Sequence, residues 1–441
     1  MDFQESVRYL YSLGNEMLAM KLGLESVRAL AESLGRPQGR FPAVHIAGTN
    51  GKGSTSAMVE AIALAAGLRV GLYTSPHLGS ITERVRVNGE EISEAKFAGL
   101  ATRVWEAGDR LVAEGRLPAV PTFFEQVTMI AYLYFAEGAV ELAVLEVGLG
   151  GRLDATNVCR PVLTAITPVD YDHQQYLGDT LAAIAGEKAG ILKPGVPVVV
   201  APQAPEAMAI IADRSRETGA PLIAVEARLR DAEVAPVNDH HDLWQAGIHR
   251  LRYEGCDVRI NLRGRHQVVN AMTAILLAEG LRDGGYSISR EAIVEGLERV
   301  AWPGRLEMVS MGASAPPLLL DGAHNPAGAA VLRDFLREDC SRAPLTLIFG
   351  AMADKSIEEM AAMLFPLAHR VILTRVDNPR AVDPRTIAAR AAASNPNLLQ
   401  TENVKAALEE AVRITPANGL ICACGSLYLV GEIKRIMGEA S

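Results

Sequence analysis

Ala43-Val-His-Ile-Ala-Gly-Thr-Asn-Gly-Lys-Gly-Ser54, continued by Thr55-Ser-Ala-Met-Val-Glu-Ala-Ile-Ala-Leu-Ala-Ala66, decides how this 441-residue chain reads. Residues 43–47 are a short apolar run around Val44 and Ile46, the pattern of a buried parallel strand. Gly48, Gly51 and Gly53 follow as a turn, with Lys52 among them, and Ser54 opens an Ala-rich helix. Strand, glycine turn and helix start make an anion cradle: glycines let backbone N–H groups face inward, and a helix N-terminus carries partial positive charge. Lys52 adds a full charge for the β- and γ-phosphates, and the Ser54 hydroxyl suits Mg²⁺ or phosphate. The match to the usual phosphate loop is imperfect. Ile46 stands at the outer glycine position, and Gly53, not Ser or Thr, follows the lysine.

The rest of the chain bounds the answer. Its length favours two domains over one. Apolar residues at 49% and charged residues at 22% describe an ordinary globular protein. The net charge of −9 comes without a basic run, so nucleic acid is not an expected partner. No apolar stretch reaches the ~18 residues of a membrane span. The start lacks the basic and apolar regions of a signal peptide. Cys159, Cys256, Cys340, Cys422 and Cys424 are odd in number with only the last pair close, and Cys422 and Cys424, in an apparent strand, read as buried thiols of a reducing cytoplasm.

Helical spacing is expected over 5–35, 94–114, 123–137, 267–281 and 291–299. Apolar strands are expected at 69–73, 141–147, 162–167 and 196–201, with a hairpin turn at Asn88-Gly89. Residues 228–261 read as short strands. After Trp302-Pro-Gly-Arg305, a hinge-like stretch, a second alternation begins, with strands at 318–320, 345–349, 370–374 and 420–424. The fold class is therefore α/β. A phosphate-loop domain at 1–302, with a mostly parallel sheet covered on both faces, precedes a smaller Rossmann-like α/β domain at 303–441. Active groups belong at the carboxyl ends of the strands, where Lys52, Ser75, Glu146 and His173 all fall.

Glu146 ends a buried strand, and a carboxylate there is costly unless solvated, paired or metal-bound. Mg²⁺ prefers hard oxygen ligands, so Ser75 and Glu146 suit it better than His173. Residues 148–153, Gly-Leu-Gly-Gly-Arg-Leu, mimic a dinucleotide fingerprint but lack the third glycine and a clear following helix, so a nicotinamide cofactor is rejected. Lys188, on composition alone, reads as part of a solvated helix face. Asp321-Gly-Ala-His-Asn-Pro326 puts a carboxylate and an imidazole at a strand end, with a helix-capping turn as the alternative reading.

Six segments, taken together and in order, carry a resemblance. They are Gly48–Ser54; Thr74-Ser-Pro-His-Leu78; residues 145–157 with Glu146; Glu187-Lys-Ala-Gly-Ile191; Asp321–Pro326; and Gly425-Ser-Leu-Tyr-Leu-Val-Gly431. The chain resembles folylpolyglutamate synthase/dihydrofolate synthase, of the Mur ligase superfamily, from about residue 20 to 435. The family's own phosphate loop reads Gly-Lys-Gly-Ser, which accounts for the departure noted above. The resemblance implies ATP-dependent amide ligation: ATP phosphorylates a pteroate or folate carboxylate, and the amine of L-glutamate captures the acyl phosphate. It implies that Gly48, Thr49, Asn50, Gly51, Lys52, Gly53 and Ser54 hold the phosphates, with Asn270, Arg305 and Asp321 completing the ATP site and His324 beside it as a catalytic group. Ser75, Glu146 and His173 are implied as Mg²⁺ ligands, with a monovalent cation such as K⁺ as an additional ion. Lys188 matches a lysine that the family carbamylates. Thr122, Phe123, Phe124, Glu125, Leu153, Asp154 and Ala155 match positions lining a dihydropteroate pocket. Ser426 and Tyr428 match positions serving the folate or glutamate end. Implied partners are dihydropteroate, tetrahydrofolate and L-glutamate, acting on a cytoplasmic monomer without nucleic acid or membrane.

Two other readings share the scaffold. A Mur ligase building peptidoglycan precursor differs in its acid substrate, and the Thr-Ser-Pro-His-Leu and Thr122-Phe-Phe-Glu125 segments favour folate. A non-catalytic nucleotide switch has no need of Lys52, Glu146, His173 and Lys188 together.

Overall fold

The computed structural model describes all residues except 15–22, 238–241, 313–314, 392–393, 396 and 440–441. The helical expectation over 15–22 and the strand expectation over 238–241 lie outside the described residues. Two compact units divide the chain, 1–232 with 269–300, and 233–268 with 301–441. The sequence reading put 233–268 in the first domain. Its Ala246 belongs instead to the hydrophobic core of the second, and a Cβ at Gly247 would stand 2.4 Å from the Phe335 ring.

The first unit is built on β1 (Ala43–Ala47), whose five residues are all buried. Around it lie β2 (Val70–Tyr73), β3 (Val85–Val87), β4 (Glu90–Glu91), β5 (Leu142–Glu146), β6 (Pro161–Ile166), β7 (Val198–Val200) and β8 (Leu222–Ala224). The sheet order is β4-β3-β2-β5-β1-β6-β7-β8. Six strands from β2 to β8 run parallel, and β3 and β4 form an antiparallel edge. Asn88 and Gly89 turn that edge with φ of 55° and 78°, the left-handed pair that a tight hairpin needs.

Parallel strands buried on both faces require continuous apolar runs, which is why β5 and β6 read as such in the sequence. Helices Phe3–Ser12, Glu25–Ser33, Glu94–Ala113 and Phe123–Glu137 share one core with Ala43, Tyr73 and Leu145. Helix Lys52–Ala65 packs so closely on helix Arg290–Arg299 that a Cβ at Gly296 would sit 2.5 Å from the Ile62 backbone. Each fully buried Val or Ile on these faces contributes about 2 kcal/mol.

The second unit holds β9 (Val234–Pro236), β10 (His249–Tyr253) and β11 (Cys256–Ile260) as a small antiparallel sheet. Its main sheet comprises β12 (Glu307–Val309), β13 (Leu318–Leu320), β14 (Leu345–Phe349), β15 (Arg370–Leu373), β16 (Leu398–Gln400) and β17 (Leu420–Cys424). Their order is β12-β13-β17-β14-β15-β16, parallel except for β12. Residues 225–230, expected as strand from 228, form a short helix. Among the described residues no helix is long and apolar enough to cross a membrane.

Candidate active site

The glycine turn leaves β1 at Gly48, whose φ is 151° and whose missing Cβ would fall 1.8 Å from Thr167 Oγ1. Gly51 caps the following helix with φ 88°, and a Cβ there would meet Asn270 Oδ1 at 2.5 Å. Only glycine fits either position. The helix begins at Lys52, two residues earlier than the sequence reading placed it. Lys52 Nζ donates to the carbonyls of Gly48 and Thr49, each at 3.1 Å. Thr49 N and Asn50 N donate to Pro168 O, and the Thr49 hydroxyl is tied to the Asp170 backbone. The loop is thus braced on the segment after β6. Two of the amides expected to face phosphate are already engaged there.

Strand order brings to one edge of the sheet the ends of the strands that precede the expected metal ligands. Ser75 follows β2, Glu146 ends β5, Lys52 follows β1 and His173 lies beyond β6, and these strands are successive neighbours in the sheet. Glu146 is buried, and its Oε2 accepts from Ser75 N at 3.1 Å, so the two are in direct contact. His173 takes a left-handed backbone, φ 51°, with its Nε2 3.7 Å from Asp172 Oδ1. Among the described residues no cluster of three or more His, Cys, Asp or Glu forms that could hold a metal. The Ser75 and Glu146 oxygens suit a hard cation bound through few protein ligands, the manner of Mg²⁺, better than the His173 nitrogen does.

Lys188 overturns its surface reading. It is buried on helix Leu181–Ala189, and its Nζ donates to Gly48 O at 2.8 Å. Burial, and next the neighbouring Lys52 charge, lower its pKa from 10.5 to about 7. A buried amine that is half neutral at physiological pH is nucleophilic, which an exposed lysine is not.

Beside it lies a cavity. Thr122, Phe124, Glu125, Leu153, Asp154 and Ala155 line it as expected, together with Gly23, Leu149, Gly150, Arg152, Tyr176, Leu177 and Glu187. Thr122 and Glu125 form a reciprocal capping box at the start of their helix. Phe123 is absent from the lining. It is 1% exposed, stacks on Tyr11 and lies 5.4 Å beneath the Arg84 guanidinium. Adjacent helix positions point about 100° apart, so one phenylalanine faces the cavity and its neighbour the core.

The glycine turn rejected as a dinucleotide fingerprint is the cavity wall. A Cβ at Gly148 would enter the Phe124 ring at 2.4 Å, and one at Gly151 would stand 2.9 Å from the carbonyls of Glu187 and Lys188. Arg152 pairs with Glu187, Nη2 to Oε1 at 2.9 Å. Sequence reasoning passed over Arg152, Tyr176 and Glu187, which are ordinary surface types until the turn folds onto helix Leu181–Ala189.

In the second unit, Asp321 follows β13. Its Oδ2 accepts from Leu306 N and its Oδ1 from Ala323 N, both at 2.9 Å. Burial raises its pKa, with Arg305 opposing. His324 Nδ1 donates to Gly322 O at 2.8 Å, and Asn325 caps helix Pro326–Asp339. Both expectations for this segment therefore hold, a carboxylate and imidazole together within a capping turn. Ser426 is buried and accepts from Tyr428 N at 3.0 Å, and Tyr428 OH accepts from Arg380 Nη2 at 3.2 Å.

Comparison with known proteins extends this geometry to a class. A family model for the Mur ligase middle domain matches residues 46–278, and one for the Mur ligase glutamate ligase domain matches residues 304–427. The two-unit α/β architecture is that of an ATP-dependent ligase of the Mur type.

Relatives narrow the class. A dihydrofolate synthase/folylpolyglutamate synthase of Bacillus subtilis is 35% identical over 96% of both chains. A folylpolyglutamate synthase of Lacticaseibacillus casei is 34% identical over 99% of both. Mycobacterium tuberculosis folylpolyglutamate synthase complexed with ADP superposes with a TM-score of 0.88 at 30% identity, covering 99% of this chain and 98% of that one. E. coli FolC in complex with DHPP and ADP gives 0.84 at 30% identity, covering 100% and 98%. The chain belongs to the folylpolyglutamate synthase/dihydrofolate synthase family.

Proposed function

We propose that this ligase joins L-glutamate to dihydropteroate, forming dihydrofolate, and extends the glutamate tail of reduced folates. One observation carries the reading: Glu187 lines the cavity while its neighbour Lys188 touches the phosphate loop at 2.8 Å. A carboxylate bound in the cavity therefore has a route to a phosphate held by the loop. A carboxylate oxygen of the pteroate or folate attacks the γ-phosphorus, the bond to the β-γ bridging oxygen breaks, and ADP leaves. The glutamate amine then adds to the acyl carbon, loses a proton, and expels phosphate as the amide forms.

Two anions must meet, so cations govern the barrier. Lys52 and the remaining loop amides neutralise the phosphates. Glu146, Ser75 and His173 would hold Mg²⁺, which supplies Lewis-acid charge there when bound. Lys188, as a neutral amine, takes up CO₂ with loss of a proton and becomes a carbamate, adding an anionic oxygen to the metal's surroundings. Phe124 stacks on the pterin or aminobenzoyl ring. Asn270, Arg305, Asp321 and His324 serve the nucleotide, and Ser426 and Tyr428 the folate tail or glutamate. The enzyme works as a cytoplasmic monomer.

The test is a product assay. Purified protein receives ATP, Mg²⁺, glutamate and either dihydropteroate or tetrahydrofolate, and products are identified by mass. A glutamyl adduct with each acid is expected. Phosphate release that depends on glutamate but on neither acid would overturn the reading in favour of a plain ATPase. Elution as a dimer would overturn the monomer.

A further inference from the structure

Behind the cavity wall runs a chain of buried polar groups that the ligation steps do not use. Thr156 donates its hydroxyl proton to Asp154 Oδ1. That leaves Thr156 Oγ1 as an acceptor towards His45, whose Nε2 lies 2.8 Å away. His45 Nε2 must therefore carry the ring proton, and Nδ1 is the accepting nitrogen, with the Cys159 thiol 3.6 Å from it. Burial holds the imidazole pKa down at about 3, so the ring stays neutral and its tautomer fixed throughout the working pH range. Tyr132 OH donates to Thr156 O at 2.8 Å and pins the same residue from the other side.

At the far end, Asp154 Oδ2 accepts from Gly148 N and Leu149 N at 3.0 and 2.9 Å, and Oδ1 accepts from Thr156 N at 2.9 Å as well as from the hydroxyl. Two donors on each oxygen use the four acceptor sites of a carboxylate. The Gly148–Leu149 turn so held is the cavity wall: Gly148 abuts Phe124 and Leu149 lines the space. His45 itself sits in β1, three residues before the phosphate loop.

We infer that His45 is a positioning residue for the acid substrate: its Nε2–H sets the Thr156 hydroxyl on Asp154, and Asp154 fixes the Gly148–Leu149 wall against which the substrate ring lies. The inference rests on the cavity being the pteroate or folate site. It assigns no contact with substrate to His45. Its effect is on binding of the acid and not on the phosphoryl or acyl steps.

The experiment compares His45→Phe, Thr156→Val, the double variant and His45→Gln, measuring kcat, KM for dihydropteroate and KM for ATP. Interrupting the chain, at the His45–Thr156 bond in His45→Phe and at that bond and the Thr156–Asp154 bond in Thr156→Val, is expected to raise the dihydropteroate KM about tenfold in either single variant, with kcat and the ATP KM within about twofold of wild type. The double variant is expected to be no worse than the poorer single one, because the two act through one chain. Gln places an amide N–H near the position of Nε2 and is expected to restore most of the loss. Thr156→Val changes a single hydroxyl and carries the test if the larger His45→Phe change prevents folding. An unchanged dihydropteroate KM in folded variants, an equal rise in the ATP KM, or additive losses would overturn the inference. Wild-type protein that ligates neither acid would instead refute the proposed function, so the two failures are separable.

Discussion

Replacing Lys188 by Met exposes a cost that the fold carries for chemistry. Lys188 is 4% exposed, and burial lowers its amine pKa from 10.5 to about 7. The unfolded chain keeps the proton up to pH 10.5, whereas the folded chain releases it near 7. Between those values the unfolded state binds more protons, so this group destabilises the fold, and its penalty shrinks as pH rises. At 1.36 kcal/mol per pKa unit, the penalty is about 4 kcal/mol at pH 7 and about 2 kcal/mol at pH 9. Met has the same reach and no charge. It forfeits the hydrogen bond to Gly48 O, worth about 1 kcal/mol. The variant is therefore expected to be about 3 kcal/mol more stable than wild type at pH 7, with the advantage falling by about 2 kcal/mol at pH 9. Urea unfolding of both proteins at pH 7, 8 and 9 in CO₂-free buffer measures the difference, and both proteins are assayed for ligation separately in bicarbonate-containing buffer, where Met is expected to abolish it. Parallel pH profiles for the two proteins, or a Met variant weaker at pH 7, would refute the desolvation argument.

Three further expectations concern the strand ends and the cavity. Glu146→Gln keeps an acceptor for Ser75 N but removes the charge, so the protein should melt near the wild-type temperature while kcat/KM falls about 100-fold or more, a loss that saturating Mg²⁺ does not repair; near-normal turnover would remove Glu146 from the metal site. Gly48→Ala forces a Cβ to within 1.8 Å of Thr167 Oγ1 at φ 151°, so ATP affinity by calorimetry should collapse and stability fall by about 2–4 kcal/mol; intact nucleotide binding would contradict the braced-loop geometry. The two phenylalanines should part company. Phe124→Ala should raise the dihydropteroate KM about tenfold with little change in melting, whereas Phe123→Ala should cost about 3–5 kcal/mol of stability. Similar behaviour of the pair would undo the division of cavity from core.

The amino-acid sequence by itself determined the α/β class, β1, the glycine loop and the strand-end carboxylate, because those features depend on local spacing. A buried parallel strand needs an unbroken apolar run. A phosphate turn needs glycines where φ is positive, and Asn88-Gly89 can hardly be anything but a hairpin turn. Motifs held in order also sufficed to fix the family. What only the tertiary structure decided are properties of environment. Lys188 is a surface type in any local window, and it becomes a near-neutral amine because helix Leu181–Ala189 closes over β1 and brings Lys52 near. Gly148–Gly151 failed as a nucleotide motif and became a cavity wall when Asp154 took its amides. Phe123 and Phe124 are indistinguishable until the helix has an orientation, and 233–268 joined the second unit through packing against Phe335. Desolvation and charge proximity depend on residues far apart along the chain, and no short stretch of sequence contains them.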